Sequence, residues 1–228
     1  MDALILVDLQ YDFMPGGALP VPHGHDVVPI ANRVQPAFDL VLATQDWHPP
    51  DHGSFAAQHA GRRPGDVVDL AGLPQILWPV HCVQHTPGAA LVAELDKSRI
   101  ERVFHKGVER DVDSYSAFFD NAHRRSTGLG EFLRAWRSGS GEAVRALYIL
   151  GLATDYCVKY SVLDARGLGF ETHVIADGCR GVNLQPGDSE RALEDVQRAG
   201  AIITTSRGVL AARAARPAGL PRGTGMLP

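Results

Sequence analysis

The sequence predicts an α/β fold, a doubly wound and mostly parallel open sheet of about six strands with helices on both faces. Three observations lead to this prediction. Short apolar runs recur along the chain, segments with helical spacing lie between them, and polar residues follow the ends of the runs. Strands and helices that alternate in this way place parallel strands in one sheet and cover it on both sides.

The predicted strands are short and mostly apolar, as expected of strands buried on both faces. They are Ala3 to Val7, Leu40 to Ala43, Arg102 to Phe104, Ala146 to Leu150, His173 to Ile175 and Ala201 to Ile203. The predicted helices are Val27 to Phe38, Leu129 to Trp136, Asp155 to Leu168 and Ser189 to Ala199. Gly200 is a natural stop for the last of them.

Length and composition predict a single domain over residues 1–213. The chain has 228 residues, of which 45% are apolar, enough for one sizeable core. Residues 46–85 are rich in Pro, Gly and His, and we expect this long loop region to carry a functional site. The basic residues of Arg207 to Arg222 are scattered among Ala, Pro and Gly, which predicts a solvated segment and a flexible tail over residues 214–228.

Charge and cysteine usage exclude several classes of partner. The net charge is −4 and no basic patch is visible, so we expect no nucleic-acid binding. No apolar run reaches the roughly 18 residues of a membrane span, and no leader precedes the first strand. Three cysteines, Cys82, Cys157 and Cys179, are an odd and sparse set that indicates free thiols and a cytoplasmic protein. No pattern selects between a monomer and a homo-oligomer.

Polar residues that can do chemistry collect just past the carboxyl ends of four predicted strands. Asp8 follows the first strand, Asp46 and His48 follow the second, Lys106 follows the third, and Cys157 follows the fourth across a short turn. Ligands bind at this edge in open parallel sheets. The sequence therefore predicts a site there, built from an acid, a lysine, a cysteine and possible metal ligands.

Cys157 is the candidate nucleophile. Thr154 or Asp155 is the expected N-cap of the next helix, which places Cys157 in the first turn, where the helix dipole and Lys106 would favour a thiolate. A carboxylate such as Asp8 beside a thiol can take its proton and return it to a leaving amine. Taken alone, each residue also has an ordinary explanation: a core cysteine, a solvated lysine and a turn aspartate.

The spacing of Asp46 and His48 allows a metal site. Two residues apart on an extended segment, their side chains point to the same side, and His81 lies in the following loop region. Two histidines and one carboxylate with open positions suit a divalent transition metal. The alternative is that all three only shape a loop.

These residues occur in motifs that resemble the isochorismatase-like cysteine hydrolases and, more narrowly, the nicotinamidase (pyrazinamidase) family. Five stretches carry the resemblance in order, over nearly the whole chain to about residue 210. They are Val7-Asp8-Leu9-Gln10-Tyr11-Asp12-Phe13, Thr44-Gln45-Asp46-Trp47-His48-Pro49, Trp78-Pro79-Val80-His81-Cys82-Val83, Phe104-His105-Lys106-Gly107 and Gly151-Leu152-Ala153-Thr154-Asp155-Tyr156-Cys157-Val158.

The resemblance implies an activity and three catalytic residues. The expected reaction is hydrolysis of nicotinamide, and also of pyrazinamide, to the acid and ammonia through a thioester on Cys157. Asp8 is then the general acid–base and Lys106 stabilises the charged pair. The resemblance further implies a cis peptide at Leu152-Ala153, with the backbone N–H groups of Ala153 and Cys157 forming an oxyanion hole.

The resemblance also implies one divalent metal ion, zinc in the first place, with iron and manganese as alternatives. Its ligands would be Asp46, His48 and His81. The family often adds a fourth residue, which matches Ser54 here, a poor direct ligand that we expect to act through a water molecule. The loop contexts of three other histidines predict surface positions. They are His52, His59 and His85.

The expected substrate-binding residues are mostly aromatic. Phe13, Trp78 and Tyr115 match positions that surround the pyridine ring in the family, and Leu152 and Ala153 complete the pocket. Composition alone would favour core roles for these aromatics. Two other functions stay open: an amidase for ureido or carbamoyl substrates, whose relatives generally lack the metal ligands, and an inactive binding protein of the same fold.

Overall fold

The computed structural model describes residues 1–215 and contains one six-stranded sheet and one hairpin. The strands are β1 (Asp2–Val7), β2 (Leu40–Asp46), β3 (Val67–Leu70), β4 (Leu73–Ile76), β5 (Ile100–Lys106), β6 (Ala146–Leu152), β7 (Glu171–Arg180) and β8 (Ile202–Thr204). The sheet has the order β5-β2-β1-β6-β7-β8, and every neighbouring pair in it is parallel. The predicted fold class is confirmed.

Five α-helices connect or cover the strands: α1 (Val27–Val34), α2 (Leu129–Ala135), α3 (Lys159–Gly167), α4 (Asp188–Arg198) and α5 (Ser206–Ala214). Helices α1 and α5 pack together and against β7, and α3 packs on α4 and also on β7. In the sheet, β2 lies on one side of β1, toward β5, whereas β7 lies on the opposite side of β6, toward β8. The two connections therefore cross the sheet in opposite directions. Right-handed crossovers therefore place α1 and α3 on opposite faces.

The strand order reverses at β1, which lies between β2 and β6. The crevice outside the carboxyl ends of β1 and β6 is therefore the expected ligand-binding position of the sheet. Gly151 in β6 allows the two strands to meet there: its φ is 135°, and a Cβ on it would lie 2.1 Å from the Val7 carbonyl oxygen. Only glycine fits this position.

The structure corrects the predicted end of one helix and the description of one loop region. Helix α1 ends at Val34 and continues as a 3₁₀ turn to Ala37, short of the predicted end at Phe38. Pro36 has no N–H to donate to the carbonyl of Asn32, so the α-helix cannot continue. The loop region 46–85 also contains the antiparallel β3–β4 hairpin, which the sequence did not predict.

Over residues 207–214, helix α5 overturns the prediction of a solvated segment. The Thr205 side chain accepts a hydrogen bond from the Gly208 N–H and caps the helix, and Val209 is buried. Of the predicted flexible tail, Ala214 is the last residue of α5, and residues 216–228 lie outside the described part of the chain.

The core lies between the sheet and its helices, and the inner strands β1 and β2 are almost fully buried. All three cysteines are buried and free. Within residues 1–215, no helix combines the length and the apolar character that crossing a membrane would require.

Candidate active site

Asp8, Lys106 and Cys157 meet at the predicted crevice. Asp8 directly follows β1 and has a left-handed backbone, with φ at 51°. Lys106 is the last residue of β5. Cys157 lies in a π-helical turn, Thr154–Val158, between β6 and α3. The carboxyl ends of three parallel strands thus deliver the three side chains to one buried place.

The Lys106 ammonium is the centre of this cluster. Its Nζ lies 2.8 Å from Asp8 Oδ2 and 3.3 Å from Cys157 Sγ. It also donates to an Asp46 carboxylate oxygen and to the Ser114 carbonyl oxygen, the latter at 3.1 Å. Lys106 is fully buried, so these contacts replace its hydration.

The cluster places one ammonium between two carboxylates. Burial acts to lower the pKa of Lys106, but the Asp46 and Asp8 carboxylates outweigh burial and hold that pKa well above its ordinary value. Burial raises the pKa of Asp8 to about 6, against the opposing effect of Lys106. The other Asp8 oxygen, Oδ1, accepts a 2.6 Å hydrogen bond from the Thr44 hydroxyl. At neutral pH Asp8 is a carboxylate and Lys106 is protonated.

The structure corrects the expectation that the helix dipole and Lys106 lower the pKa of Cys157. Burial raises the pKa of the Cys157 thiol well above its ordinary value, and the opposing effect of Lys106 does not compensate. The expected N-cap is also absent, because Ala153 holds that position without a side-chain bond. The Asp155 carboxylate instead accepts from the backbone N–H groups of Val182 and Asn183, at 2.9 and 2.6 Å. Cys157 is therefore a thiol that needs a base.

Asp46, His48 and His81 form a second cluster beside the first. Their ligand atoms all lie within 4.8 Å of one another, and all three side chains are buried. The Nε2 atoms of His48 and His81 each lie 3.8 Å from Asp46 Oδ2. Lys106 occupies the other Asp46 oxygen, Oδ1, so that Oδ2 faces the two imidazoles.

Hydrogen bonds on the far side of each imidazole prepare this cluster for a metal ion. His48 Nδ1 lies 2.8 Å from the Gly107 carbonyl oxygen, and His81 Nδ1 lies 2.8 Å from the Pro79 carbonyl oxygen. A carbonyl only accepts, so each Nδ1 carries the proton and each Nε2 presents a lone pair toward Asp46. Gly107 leaves room for this arrangement, since a Cβ there would lie 2.4 Å from the His48 ring.

The protonation states also suit metal binding. Burial lowers the pKa of His48 to about 3, although Asp46 acts in the opposite direction, so the imidazole is neutral. Burial acts to raise the pKa of Asp46, but Lys106 and His48 outweigh burial and hold that pKa well below its ordinary value. Neutral imidazoles and an ionised carboxylate are the forms that bind a divalent cation.

Ser54 and His52 form a buried pair near this cluster. His52 Nε2 lies 3.3 Å from the Val112 carbonyl oxygen and so carries the proton. His52 Nδ1 then accepts from the Ser54 hydroxyl at 2.7 Å and from the Ser54 N–H at 3.3 Å. The lone pairs of the Ser54 oxygen stay available as acceptors.

The prediction of surface positions for His52, His59 and His85 is correct only in part. His52 is fully buried, and its ring centroid is 4.2 Å from that of His48, so its prediction is wrong. His59 is half-buried and bonds the Gly53 carbonyl oxygen, whereas His85 is exposed. His52 also forms a group of possible metal ligands with His48 and Asp113.

One cavity joins the two clusters. The residues that line it are Phe13, Leu19, Asp46, His48, Trp78, His81, Asp113, Tyr115, Ala153, Tyr156, Cys157 and Val182. The predicted aromatics and Ala153 are among them. The prediction that Leu152 binds the substrate is wrong, because this residue is fully buried and is not among the described residues that line the cavity. The Leu152-Ala153 peptide is cis, as the resemblance implied.

A hydrogen-bond network fixes the aromatic wall of the cavity. The Tyr115 hydroxyl accepts from Gln75 Nε2 at 3.1 Å and from Trp78 Nε1 at 3.2 Å. Gln75, on β4, also donates to the Asp113 carboxylate at 2.9 Å. The sequence prediction missed these roles of Gln75 and Asp113 because it did not predict the hairpin. The position of Tyr156 in the cavity wall could have been predicted, because this residue directly precedes the candidate nucleophile.

Comparisons with known proteins agree with this geometry. The isochorismatase domain model matches residues 2–208. The nicotinamidase of Escherichia coli is 52% identical over 207 residues, covering 89% of this chain and 94% of that protein. A solved nicotinamidase/pyrazinamidase from Acinetobacter baumannii superimposes with a TM-score of 0.84 at 38% identity, over 90% of this chain and 96% of that one.

A second solved structure adds a metal to the comparison. The pyrazinamidase of Pyrococcus horikoshii in complex with zinc superimposes with a TM-score of 0.69 at 39% identity, over 90% of this chain and 98% of that one. Family model, curated relative and solved structures all extend over nearly the whole described chain. The chain therefore belongs to the isochorismatase family and, within it, to the nicotinamidases.

Proposed function

We propose that this protein hydrolyses nicotinamide to nicotinate and ammonia through a thioester on Cys157, with pyrazinamide as a second substrate. The observation that carries the proposal is the position of Lys106. Its ammonium contacts Asp8, Cys157 and Asp46 at once, so the acyl-transfer cluster and the metal-ligand cluster are one site. The free cysteines favour the cytoplasm as its place of action.

Acylation begins with a proton transfer. The Asp8 carboxylate takes the proton of the Cys157 thiol, and the sulfur attacks the carboxamide carbon. The raised pKa of Asp8, about 6, brings the base closer to the high pKa of the thiol and reduces the energy of this transfer. Lys106 stays charged and stabilises the thiolate as it forms.

The tetrahedral intermediate then collapses. The backbone N–H groups of Ala153 and Cys157, two residues that line the cavity, hold the oxyanion. The carbon–nitrogen bond breaks, and Asp8 returns the proton to the departing amine, which leaves as ammonia. Asp8 next deprotonates a water molecule that attacks the thioester, releasing nicotinate and restoring the thiol.

The ring of the substrate occupies the space between the aromatic wall and the metal-ligand cluster. Phe13, Trp78 and Tyr115 supply flat apolar surfaces for a planar heteroaromatic ring. Asp46, His48 and His81 would hold a divalent metal, zinc in the first place with iron and manganese as alternatives. When bound, the metal would supply a Lewis acid for the pyridine nitrogen, or one of its waters would donate a hydrogen bond to that nitrogen. Ser54 is suited to accept from such a water, because its own proton is given to His52.

Replacement of Cys157 by alanine tests the covalent mechanism. Cys157→Ala should abolish ammonia release from nicotinamide, because the remaining side chains offer no group to form the acyl intermediate. Cys179→Ala removes another buried thiol, which donates to the Ile175 carbonyl oxygen and is not among the residues that line the cavity, and should keep most activity. Ammonia release is the measurement, and turnover by Cys157→Ala above a trace would contradict the thioester.

Benzamide provides the substrate arm of the same experiment. It has the carboxamide of nicotinamide but no ring nitrogen, so it should be a poor substrate even for metal-loaded protein, since the ring is no longer positioned. Equal turnover of both amides would contradict recognition of the ring nitrogen. Turnover of carbamoyl compounds in place of nicotinamide would assign the chain a different amidase activity.

A further inference from the structure

Gln10 lies two residues after Asp8, and its side chain is fully buried. Its amide makes three hydrogen bonds of 2.8 Å: Nε2 donates to the carbonyl oxygens of Asp46 and Ala89, and Oε1 accepts from the Asp46 N–H. Both N–H groups of the amide and its oxygen are therefore used. Two of the three bonds hold the backbone of a single residue, Asp46.

These bonds replace a strand that is missing at this point. The pairing of β1 with β2 reaches only Leu6 and Ala43. Beyond it, the left-handed backbone of Asp8 turns the chain away, and the Asp8 N–H bonds the Thr44 hydroxyl at 3.3 Å. The N–H and carbonyl of Asp46 on this side would be left without a neighbouring strand. The Gln10 amide pairs with both, as a backbone segment would.

The orientation of the Asp46 side chain depends on this backbone. One carboxylate oxygen bonds Lys106, while the other lies 3.8 Å from the Nε2 atoms of both His48 and His81. Lys106 is held on its other side by Asp8 and Ser114. If the Asp46 backbone shifted, the carboxylate would follow Lys106 and leave the two imidazoles.

We propose that Gln10 is a positioning residue for the metal ligand Asp46. Its amide holds the Asp46 backbone so that the free carboxylate oxygen faces the two imidazoles. This inference rests on the metal site of the proposed function. It adds that the segment carrying the general base also sets the geometry of the metal site.

The test measures affinity for zinc alone, by competition with a chromophoric chelator, on the whole chain and without any substrate. Gln10→Met keeps the approximate volume and removes all three bonds. Gln10→Glu keeps the acceptor for the Asp46 N–H and loses both donations. Outer-shell partners of metal ligands typically contribute about 10- to 100-fold in metal affinity, and we expect Gln10→Met to weaken zinc binding within this range. Gln10→Glu should fall between it and the wild type.

Gln45 offers a matched control. It is also a buried glutamine, it donates to the same Ala89 carbonyl oxygen at 2.6 Å, and it directly precedes Asp46. Gln45→Met should change zinc affinity by less than about threefold, a change that corresponds to a single weak interaction. The melting temperatures of the metal-free variants measure general destabilisation on its own, and a loss of zinc affinity without a matching fall in Tm is a loss of positioning.

The outcomes distinguish this role from the function on which it rests. Wild-type affinity in Gln10→Met or, if that variant does not fold, in Gln10→Glu would overturn the positioning role and leave the metal site intact. Equal loss of affinity in the Gln10 and Gln45 variants would also overturn it. Wild-type protein that takes up none of zinc, iron(II) and manganese(II) would overturn the metal site itself, and the role of Gln10 with it.

Discussion

Burial and the Lys106 ammonium together set the protonation states at this site. Its ammonium faces two buried carboxylates and the Cys157 sulfur, and one positive charge cannot fully compensate two negative charges. The net effect differs between the carboxylates. Asp46 is ionised and has a low pKa, whereas Asp8 has a pKa near neutrality, which suits a ligand and a proton carrier respectively.

The pKa of Asp8 predicts the pH dependence of the reaction. A base with a pKa of about 6 works only above that pH, so kcat/KM should fall about tenfold per unit below pH 6 and level off above it. Asp8→Asn cannot carry the proton and should lower kcat/KM by about 100- to 10,000-fold. Steady-state rates between pH 4.5 and 8 are the measurement.

Two results would contradict this assignment: an Asp8→Asn rate within a factor of two of wild type, or the same acidic limb in the variant. Thr44→Val serves as the control. It removes the hydroxyl that donates to Asp8 Oδ1 and so favours the protonated acid, which should move the limb to higher pH without removing it.

At this scale, the sequence predicted the residues better than their environment. The positions of Asp8, Asp46, Lys106 and Cys157 at one edge of the sheet were predictable because each follows a predicted strand of a parallel sheet. The direction of the pKa shift of Cys157 was not predictable, because it depends on how completely the site is buried. The roles of Gln10 and His52 were also missed, because they depend on long-range contacts with Asp46 and with Val112.

Among the elements, those with an apolar run or a clear helical period were predicted well, and those without one were missed. All six strands of the main sheet lie where the apolar runs placed them, to within a few residues. The β3–β4 hairpin was missed because its four-residue strands are mostly exposed or half-buried and have no continuous apolar run. Yet this hairpin places Gln75 against Tyr115 and thus supports the cavity wall.

Helix α5 was missed because its sequence is dominated by Ala and Arg, and only tertiary contacts show its packing. Arg213 donates to the Ala37 carbonyl oxygen at 2.7 Å and to Asp2 Oδ2 at 2.8 Å, and its guanidinium carbon lies 3.9 Å from the centre of the Phe38 ring. The helix end is thereby bound to the first strand and to the end of the α1 segment.

Arg213→Ala should therefore destabilise the protein by about 1–2 kcal/mol, the range for a cation–π contact with charged hydrogen bonds. For a chain of this size, that corresponds to a fall in Tm of about 2–8 °C. Arg207→Ala, which removes an exposed arginine from the same helix, should shift the Tm by less than about 1 °C. Equal shifts in the two variants would show that Arg213 does not anchor the helix.

For the whole molecule, the topology of the sheet explains why the acyl-transfer cluster and the metal-ligand cluster lie in one site. The reversal of strand order at β1 brings the ends of β1, β2, β5 and β6 together. The segment after β2 then returns His81 to the same edge, where the His48 N–H bonds the Cys82 carbonyl oxygen at 3.0 Å. The fold class predicted a site at this edge of the sheet. The path of the loop that brings His81 to this edge is seen only in the structure.

A metal at this point would join the end of β2 to the loop that carries His81, so its loss should affect the stability of the whole chain. A ligand that binds only the folded state stabilises it by about 2.7 kcal/mol at a free concentration a hundred times its Kd. For a chain of this size, chelation should then lower the Tm by about 5–11 °C. Thermal melts of zinc-loaded, chelated and zinc-restored protein measure this effect, together with nicotinamide turnover on the same samples.

His81→Ala retains the fold but lacks one ligand, so its Tm should respond little to zinc. If zinc raised the Tm of His81→Ala as much as that of the wild type, or left the wild type unchanged, the ion would not be bound by Asp46, His48 and His81.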